Sequence, residues 1–318
     1  MIELYKEIDN KLRMLDYSED TFDSIPEQTW IHMVNPSYED VNKVCAVTGL
    51  DKGMLQGSLD TEEVSHVDVD EDNVLITIDA PILIDGFYET VPFSIMYNSK
   101  FFVTLCSREC GVVDSLTKKF RKIEPQKHAR ISLLIMYRIT TMYIQSLKNI
   151  DLKSNEIESD LQDSMKNSHL FELMSLNKSL VYFSTSLNSN KNTLAKVKRL
   201  KDFKMYEDDF DLLDDVEIEN NQAIEMCQIH RSILDTLTDT TASVISNNLN
   251  NVMKILTVVT IVISIPTLIG SFWGMNVSLP FEKNKYGFWI LIGLSLILSI
   301  IGGMLLFKIT GVKKIKKK

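Results

Sequence analysis

The sequence predicts an α+β chain: an N-terminal α/β domain over residues 1–125, a helical bundle and stalk over 126–252, and two C-terminal membrane spans within 253–318. Three observations predict this order. Proline and glycine vanish from Gln126 to Ile265, two long uncharged apolar runs follow, and the sign of the charge reverses between the two parts. Residues 1–252 hold 42 acids against 25 bases, whereas residues 253–318 hold nine lysines against Glu282 alone. A charge reversal aligned with a hydropathy change marks two physical environments.

The first 125 residues hold five of the seven prolines and three runs suited to short strands: Val74–Ile78, Val91–Tyr97 and Lys100–Leu105. Their β-branched and aromatic residues are bounded by Gly, Asp and Asn, which fits strands ended by turns. Glu39–Val47 and Asp51–Leu55 read as short helices around Gly49 and Gly53. After Pro125 a breaker-free stretch predicts two or three long helices, the last running into the membrane. Asn188-Ser189-Asn190 is the expected turn between two of them, and Ile157, Leu161, Met165 and His169 recur every four residues.

Ile255–Trp273 and Tyr286–Phe307 carry no charge. Nineteen helical residues at about 1.5 Å each reach roughly 28 Å, close to the hydrocarbon thickness of a bilayer. Aromatic residues stand at the ends of both runs: Phe272, Trp273, Tyr286, Phe288 and Trp289. Lys308 and the tail lysines Lys313, Lys314, Lys316, Lys317 and Lys318 follow the second run, while the connecting loop holds Lys283, Lys285 and Glu282. The positive-inside rule puts the C-terminus, and with two spans also the N-terminal domain, in the cytoplasm. The charged N-terminus, MIELYKEIDNKL, has no apolar core of a signal peptide.

The polar residues of the first span fall on one face. Asn250, Met253, Thr257, Thr260, Ser264, Thr267, Ser271 and Gly274 are spaced 3, 4, 3, 4, 3, 4 and 3. Two readings fit. Small residues let helices pack closely, or the hydroxyls face water in a symmetric bundle, which requires several copies of the chain.

The span ends in Ser271-Phe272-Trp273-Gly274-Met275-Asn276. An aromatic followed by Gly-Met-Asn, after a breaker-free stalk and before a short loop, a second span and a lysine tail, resembles the CorA family of magnesium transporters. Asn250–Thr260 and Trp30-Ile31 resemble the family as well. The resemblance implies a homopentameric funnel that takes up Mg2+ across the cell membrane, with lipid and its own copies as partners. Mg2+ would be cargo and possible regulator, and no other cofactor is implied. Gly274, Met275 and Asn276 would form the outer mouth: Asn276 offers its carbonyl to the waters of Mg2+, Gly274 permits a turn, and Met275 packs. The resemblance adds Leu256 to the stripe as a pore residue and makes Met253 and Leu256 a hydrophobic constriction.

The same resemblance implies a cytoplasmic Mg2+ sensor between subunits. Asp215 falls at its stalk position, but the expected partner element is Leu55-Gln56-Gly57 here, leaving Asp60, Glu62 and Glu63 as nearby substitutes. Met275, rather than the isoleucine of some zinc-transporting relatives, favours magnesium over Co2+, Ni2+ or Zn2+, and neither span carries His or Cys. A non-conducting, membrane-tethered coiled coil is the reading from another class. Enzyme chemistry is disfavoured, because the five histidines fit no metal spacing and no phosphate-loop or nucleophile motif is present. The acidic soluble part argues against nucleic acid. Cys45, Cys106, Cys110 and Cys227 read as free thiols in a reducing compartment.

Overall fold

A computed structural model describes the chain except residues 10, 16–21, 23–24, 61–62, 120–122, 164–166, 202, 276–284 and 311–318, with backbone alone at 119, 161–163, 167 and 310. It divides into two compact units, Met1–Thr238 and Asp239–Lys318.

In the first unit, β1 (Ile2–Ile8), β2 (Lys11–Leu15), β3 (Trp30–Val34), β4 (His66–Asp70), β5 (Asn73–Ile84), β6 (Phe87–Tyr97) and β7 (Phe102–Cys106) form one sheet. Its order is β2-β1-β3-β7-β6-β5-β4. Among the described residues only β3 and β7 pair in parallel, with His32 opposite Thr104. The three expected strands are β5, β6 and β7; β1, β2, β3 and β4 are additional. Asp85-Gly86, both at positive φ, make the tight turn between β5 and β6.

Alternation along the strands divides the core. Ile31, Met33, Leu75, Met96, Val103 and Leu105 face one way and join Val41, Val44 and Leu55 in one cluster. Those last three come from α1 (Tyr38–Thr48) and α2 (Lys52–Gly57), the two expected short helices. Ser37 and Asp40 form a capping box at the start of α1, and Gly49, at φ +71°, ends it. Trp30, Ile76, Ile78, Phe93, Ile95 and Phe102 face the other way, in the larger cluster that includes α3 (Val112–Lys119), α4 (His128–Asp163) and α5 (Asn167–Val197).

Helix α5 runs unbroken through Asn188-Ser189-Asn190, so the turn expected there is not one. Asparagine reads as a loop residue because its side chain competes for backbone hydrogen bonds, and Asn190 does this across the core. Its Oδ1 accepts from the Asp79 N–H at 2.8 Å and from Ser65 Oγ at 3.0 Å, and its Nδ2 donates to the Asp79 carbonyl at 2.9 Å. The last β4–β5 pair is His66–Thr77. Two residues further on, the Asn190 amide takes the place of the missing strand. The helix change instead lies between Asp163 and Asn167, so the recurrence from Ile157 to His169 spans two helices; Met165 lies outside the described residues.

Helix α6 (Glu207–Trp273) is anchored at its start by a buried carboxylate. Asp209, 1% exposed, accepts from the Tyr206 N–H at 3.0 Å and pairs with Arg130 of α4 at 2.9 Å. Leu213, Val216, Ala223, Ile224, Cys227 and Leu234 then bury one stripe of α6. The α5 contacts include Asn220 Nδ2 to the Leu187 carbonyl and Asn177 Nδ2 to Asp235.

Replacing Asn190 by alanine would strand the Asp79 N–H, a loss of about 1–3 kcal/mol for a buried unsatisfied group, and leave the Asp79 carbonyl to the Tyr143 hydroxyl at 3.2 Å. A lowered urea midpoint for Asn190→Ala, with Asn188→Ala near wild type, is the expected result. A second expectation concerns acid. Burial pushes His32 and His128 down to about 4. Thr104 Oγ1, which accepts from Trp30 Nε1 at 2.8 Å, lies 2.9 Å from His32 Nδ1. Both rings are neutral when folded, whereas the unfolded chain protonates them below about 6.5. Stability therefore declines as pH falls from about 6.5 to about 4. Melting curves should show this decline, with a shallower slope in His32→Asn.

Candidate functional site

The second unit contains the end of α6 and α7 (Gly287–Thr310). Both are long and apolar enough to cross a membrane, with mean hydropathy of 2.2 and 2.6 over their most apolar windows. A core helix of a soluble protein would be buried; these windows are 6% and 17% buried. Helix α7 begins at Gly287, a residue beyond the expected start, and carries Lys308 in its last turn.

Small residues make one contact between the two helices very close. A Cβ placed on Gly303 would meet Val262 Cγ2 at 3.0 Å, and one on Gly302 would meet Ile265 Cδ1 at 3.2 Å. Ser295 and Ser299 continue this buried side of α7 toward its start, at 7% and 4% exposure. On α6, Val258 is buried and Val262, Ile265 and Ile269 are half-buried, spaced 4, 3 and 4. The sequence reading missed this seam. Its signal was the serine and double-glycine series 295, 299, 302 and 303 in an otherwise bulky span.

The hydroxyl stripe lies on the opposite side of α6. At 3.6 residues per turn, Thr260, Ser264, Thr267 and Ser271 project away from the Val258–Ile269 seam. Every stripe position from Asn250 through Met253, Leu256, Thr257, Thr260, Ser264, Thr267 and Ser271 to Gly274 is exposed in the single chain. The hydroxyls are held rather than loose. Thr257, Thr260, Ser264 and Thr267 donate to the carbonyls of Met253, Leu256, Thr260 and Ile263 at 2.8, 2.8, 2.8 and 3.0 Å. Each spends its proton on the helix, so its oxygen lone pairs remain as acceptors for water. Pro266 has no N–H, which leaves the Val262 carbonyl without its usual donor while α6 stays helical across it.

The helix ends at Trp273, which is half-buried beside Phe288, Leu291 and Ile292 in a cleft of about 340 Å3. The Gly274 N–H donates to the Gly270 carbonyl at 3.0 Å, and the Met275 N–H to the Phe272 carbonyl at 3.3 Å. Gly274 does not adopt positive φ, and a Cβ there would meet the Gly270 and Ser271 carbonyls only at 3.5 and 3.6 Å. In the single chain this backbone accepts a side chain; the turn that Gly274 is expected to permit leads into residues 276–284, outside the described residues. Met275, expected to pack, is 53% exposed. Asn276 and Glu282 lie outside the described residues.

In the first unit, Asp60 follows α2, its N–H bonded to the Gly57 carbonyl at 3.1 Å, and Asp215 is on the exposed side of α6. Glu62 lies outside the described residues. Among the described residues, no three His, Cys, Asp or Glu side chains stand close enough to hold a metal.

A chain in which one long helix ends in the first of two apolar spans, with its hydroxyls turned away from the second span, has the architecture of an integral membrane protein. The family model described as CorA-like Mg2+ transporter protein matches residues 27–313, and the chain belongs to that family. It is 29% identical over 278 residues to the cobalt/magnesium transport protein CorA of Methanocaldococcus jannaschii, covering 86% of this chain and 87% of that one. Over 92 residues it is 36% identical to a magnesium transport protein CorA of Campylobacter jejuni, which is 29% of this chain and 28% of that one. The complete structure of the Methanocaldococcus jannaschii CorA magnesium transporter superposes with TM-score 0.77 and 27% identity over 96% of both chains. Full-length CmaX shares the fold at TM-score 0.69 and 16% identity, over 96% of both chains.

The tight seam gives a paired expectation. Gly303→Val overpacks the Val262 contact, a cost of about 1–3 kcal/mol. A Cβ on Gly293 meets nothing within 4 Å. In detergent, Gly303→Val should melt lower than wild type, whereas Gly293→Ala should not.

Proposed function

We propose that this chain forms a homopentameric channel that admits Mg2+ to the cytoplasm, with five first spans lining the pore and five second spans outside them. The observation that carries this reading is the two-sidedness of α6: one side is filled by α7, and the other offers ordered hydroxyl acceptors along its length. A single hairpin cannot enclose that side, so the fold needs copies of itself. Ile218, Ile229 and Ile233, spaced 11 and 4 on one face of α6, are 63%, 58% and 44% exposed, as expected of an assembly surface.

On this reading the neutral oxygens of Thr257, Thr260, Ser264, Thr267 and Ser271 contact the water shell of the ion rather than the ion. Mg2+ gives up its waters reluctantly, so dipoles suffice where carboxylates would trap it. Asn250 forms an inner polar ring, and Met253 and Leu256, both exposed in the single chain, form an apolar constriction that closes by dewetting. Gly274, Met275 and Asn276 form the outer mouth; the missing side chain at Gly274 leaves the entrance wide. The inward-negative potential supplies about 2.3 kcal/mol per charge per 100 mV.

The cytoplasmic placement of both termini rests on Lys308 and the tail lysines. A regulatory Mg2+ between neighbouring cytoplasmic units, held by Asp215 of one chain and Asp60 of the next, completes the proposal. The cobalt in one relative's name makes Co2+ the alternative cargo, separable by competition.

Uptake into proteoliposomes containing a Mg2+ dye is the test. Wild type should show uptake, and Asn276→Ala should lose at least tenfold with its oligomer intact by native mass spectrometry. Equal flux in the two would remove Asn276 from the entrance. No flux in a folded wild-type oligomer would support the scaffold reading.

A further inference from the structure

We propose that a proton on the Asp79 carboxyl closes a clasp between β5 and α5, which makes the docking of α5 on the sheet sensitive to pH. One buried cluster there has fewer hydrogens than acceptor contacts. Asn190, 5% exposed, is held in one orientation by the backbone of Asp79. Its Oδ1 faces the Asp79 N–H at 2.8 Å and its Nδ2 faces the Asp79 carbonyl at 2.9 Å. Turning the amide over would set N–H against N–H and oxygen against oxygen. In this orientation Ser65 Oγ has two acceptors at 3.0 Å, Asp79 Oδ2 and Asn190 Oδ1.

Ser65 has one proton for these two contacts. With Asp79 ionised, that proton fills one contact, and the other sets two oxygens face to face with no hydrogen between them. With Asp79 protonated, its O–H donates to Ser65 Oγ, the Ser65 O–H donates to Asn190 Oδ1, and both contacts are filled. A half-made buried contact is costly, so the neutral acid is the form that completes the clasp. The groups that face Asp79 are themselves uncharged. They are Ser186 and Asn190 of α5, the Thr90 hydroxyl of β6, which accepts from Ser186 Oγ at 2.9 Å, and Tyr143 of α4, kept protonated by burial. Before β4, His66 and Glu63 lie 3.5 Å from each other. Burial holds the Asp79 carboxyl above the ordinary aspartate range, against the hydroxyls of Ser65 and Ser186.

A carboxyl held above its ordinary value keeps its proton in the folded chain at a pH where the unfolded chain has lost it. The stability it contributes is fully present below about pH 4 and is lost as pH rises through the folded value. This dependence runs opposite to that of His32 and His128. Asp79→Asn separates the two, because asparagine keeps an N–H donor for Ser65 and cannot ionise.

The test follows the full chain in detergent by infrared spectroscopy, with isotope-labelled aspartate carboxyls. Above about pH 5, where ordinary aspartates have ionised, folded wild type should keep a protonated-carboxyl C=O band that Asp79→Asn lacks. Ser65→Ala, which removes the acceptor hydroxyl alone, should move that band to higher frequency, and it decides the matter if Asp79→Asn does not fold. In urea, the wild-type midpoint should match that of Asp79→Asn in acid and fall below it as the band disappears. Absence of the band from folded wild type would overturn the proposal, as would a band that neither variant alters. So would a wild-type midpoint that rises relative to Asp79→Asn with increasing pH, since the ionised carboxylate would then be the form the clasp needs.

Discussion

Everything in the membrane unit depends on the seam where Gly302 and Gly303 of α7 meet Ile265 and Val262 of α6. Lipid tails are as apolar as the helices, so hydrophobicity cannot decide which helical faces meet; shape must. The glycines provide that shape by leaving a groove for the branched side chains. Filling one side of α6 in this way fixes what the other side can do. The threonines and serines opposite the seam are turned from α7, their protons returned to their own helix and their oxygens left outward.

Two features of the first unit give the long helix a defined beginning. Asp209 joins the first turn of α6 to Arg130 of α4, at a point where a carboxylate also suits the positive end of the helix. The Asn190 amide, with Ser65 and Tyr143, completes the hydrogen bonding of β5 at Asp79, beyond the end of β4. Buried polar contacts of this kind specify a unique arrangement, because each is costly if half made. They also place an acidic surface, including Asp215, on the outward side of α6.

Much of this was legible in the sequence where period and composition carry the signal. The breaker-free stretch gave the long helices, β-branched runs gave β5, β6 and β7, and the 3–4 recurrence from Asn250 to Gly274 gave the stripe. Misreadings arose where a residue's local preference was met by a distant partner. Asn188-Ser189-Asn190 has turn composition, yet Asn190 spends its amide on a strand 111 residues away in sequence. The acidic run at 207–209 has surface composition, yet Asp209 is buried.

The sequence by itself determined the division of the chain, the two spans, the polar stripe and the Gly-Met-Asn terminus, because hydropathy and helical period are properties of consecutive residues. Only the tertiary structure decided which side of α6 receives α7, and that Asn190 and Asp209 face inward. Those outcomes depend on which surfaces close-pack and which buried polar atoms find partners, and the partners come from parts of the chain that no local pattern connects.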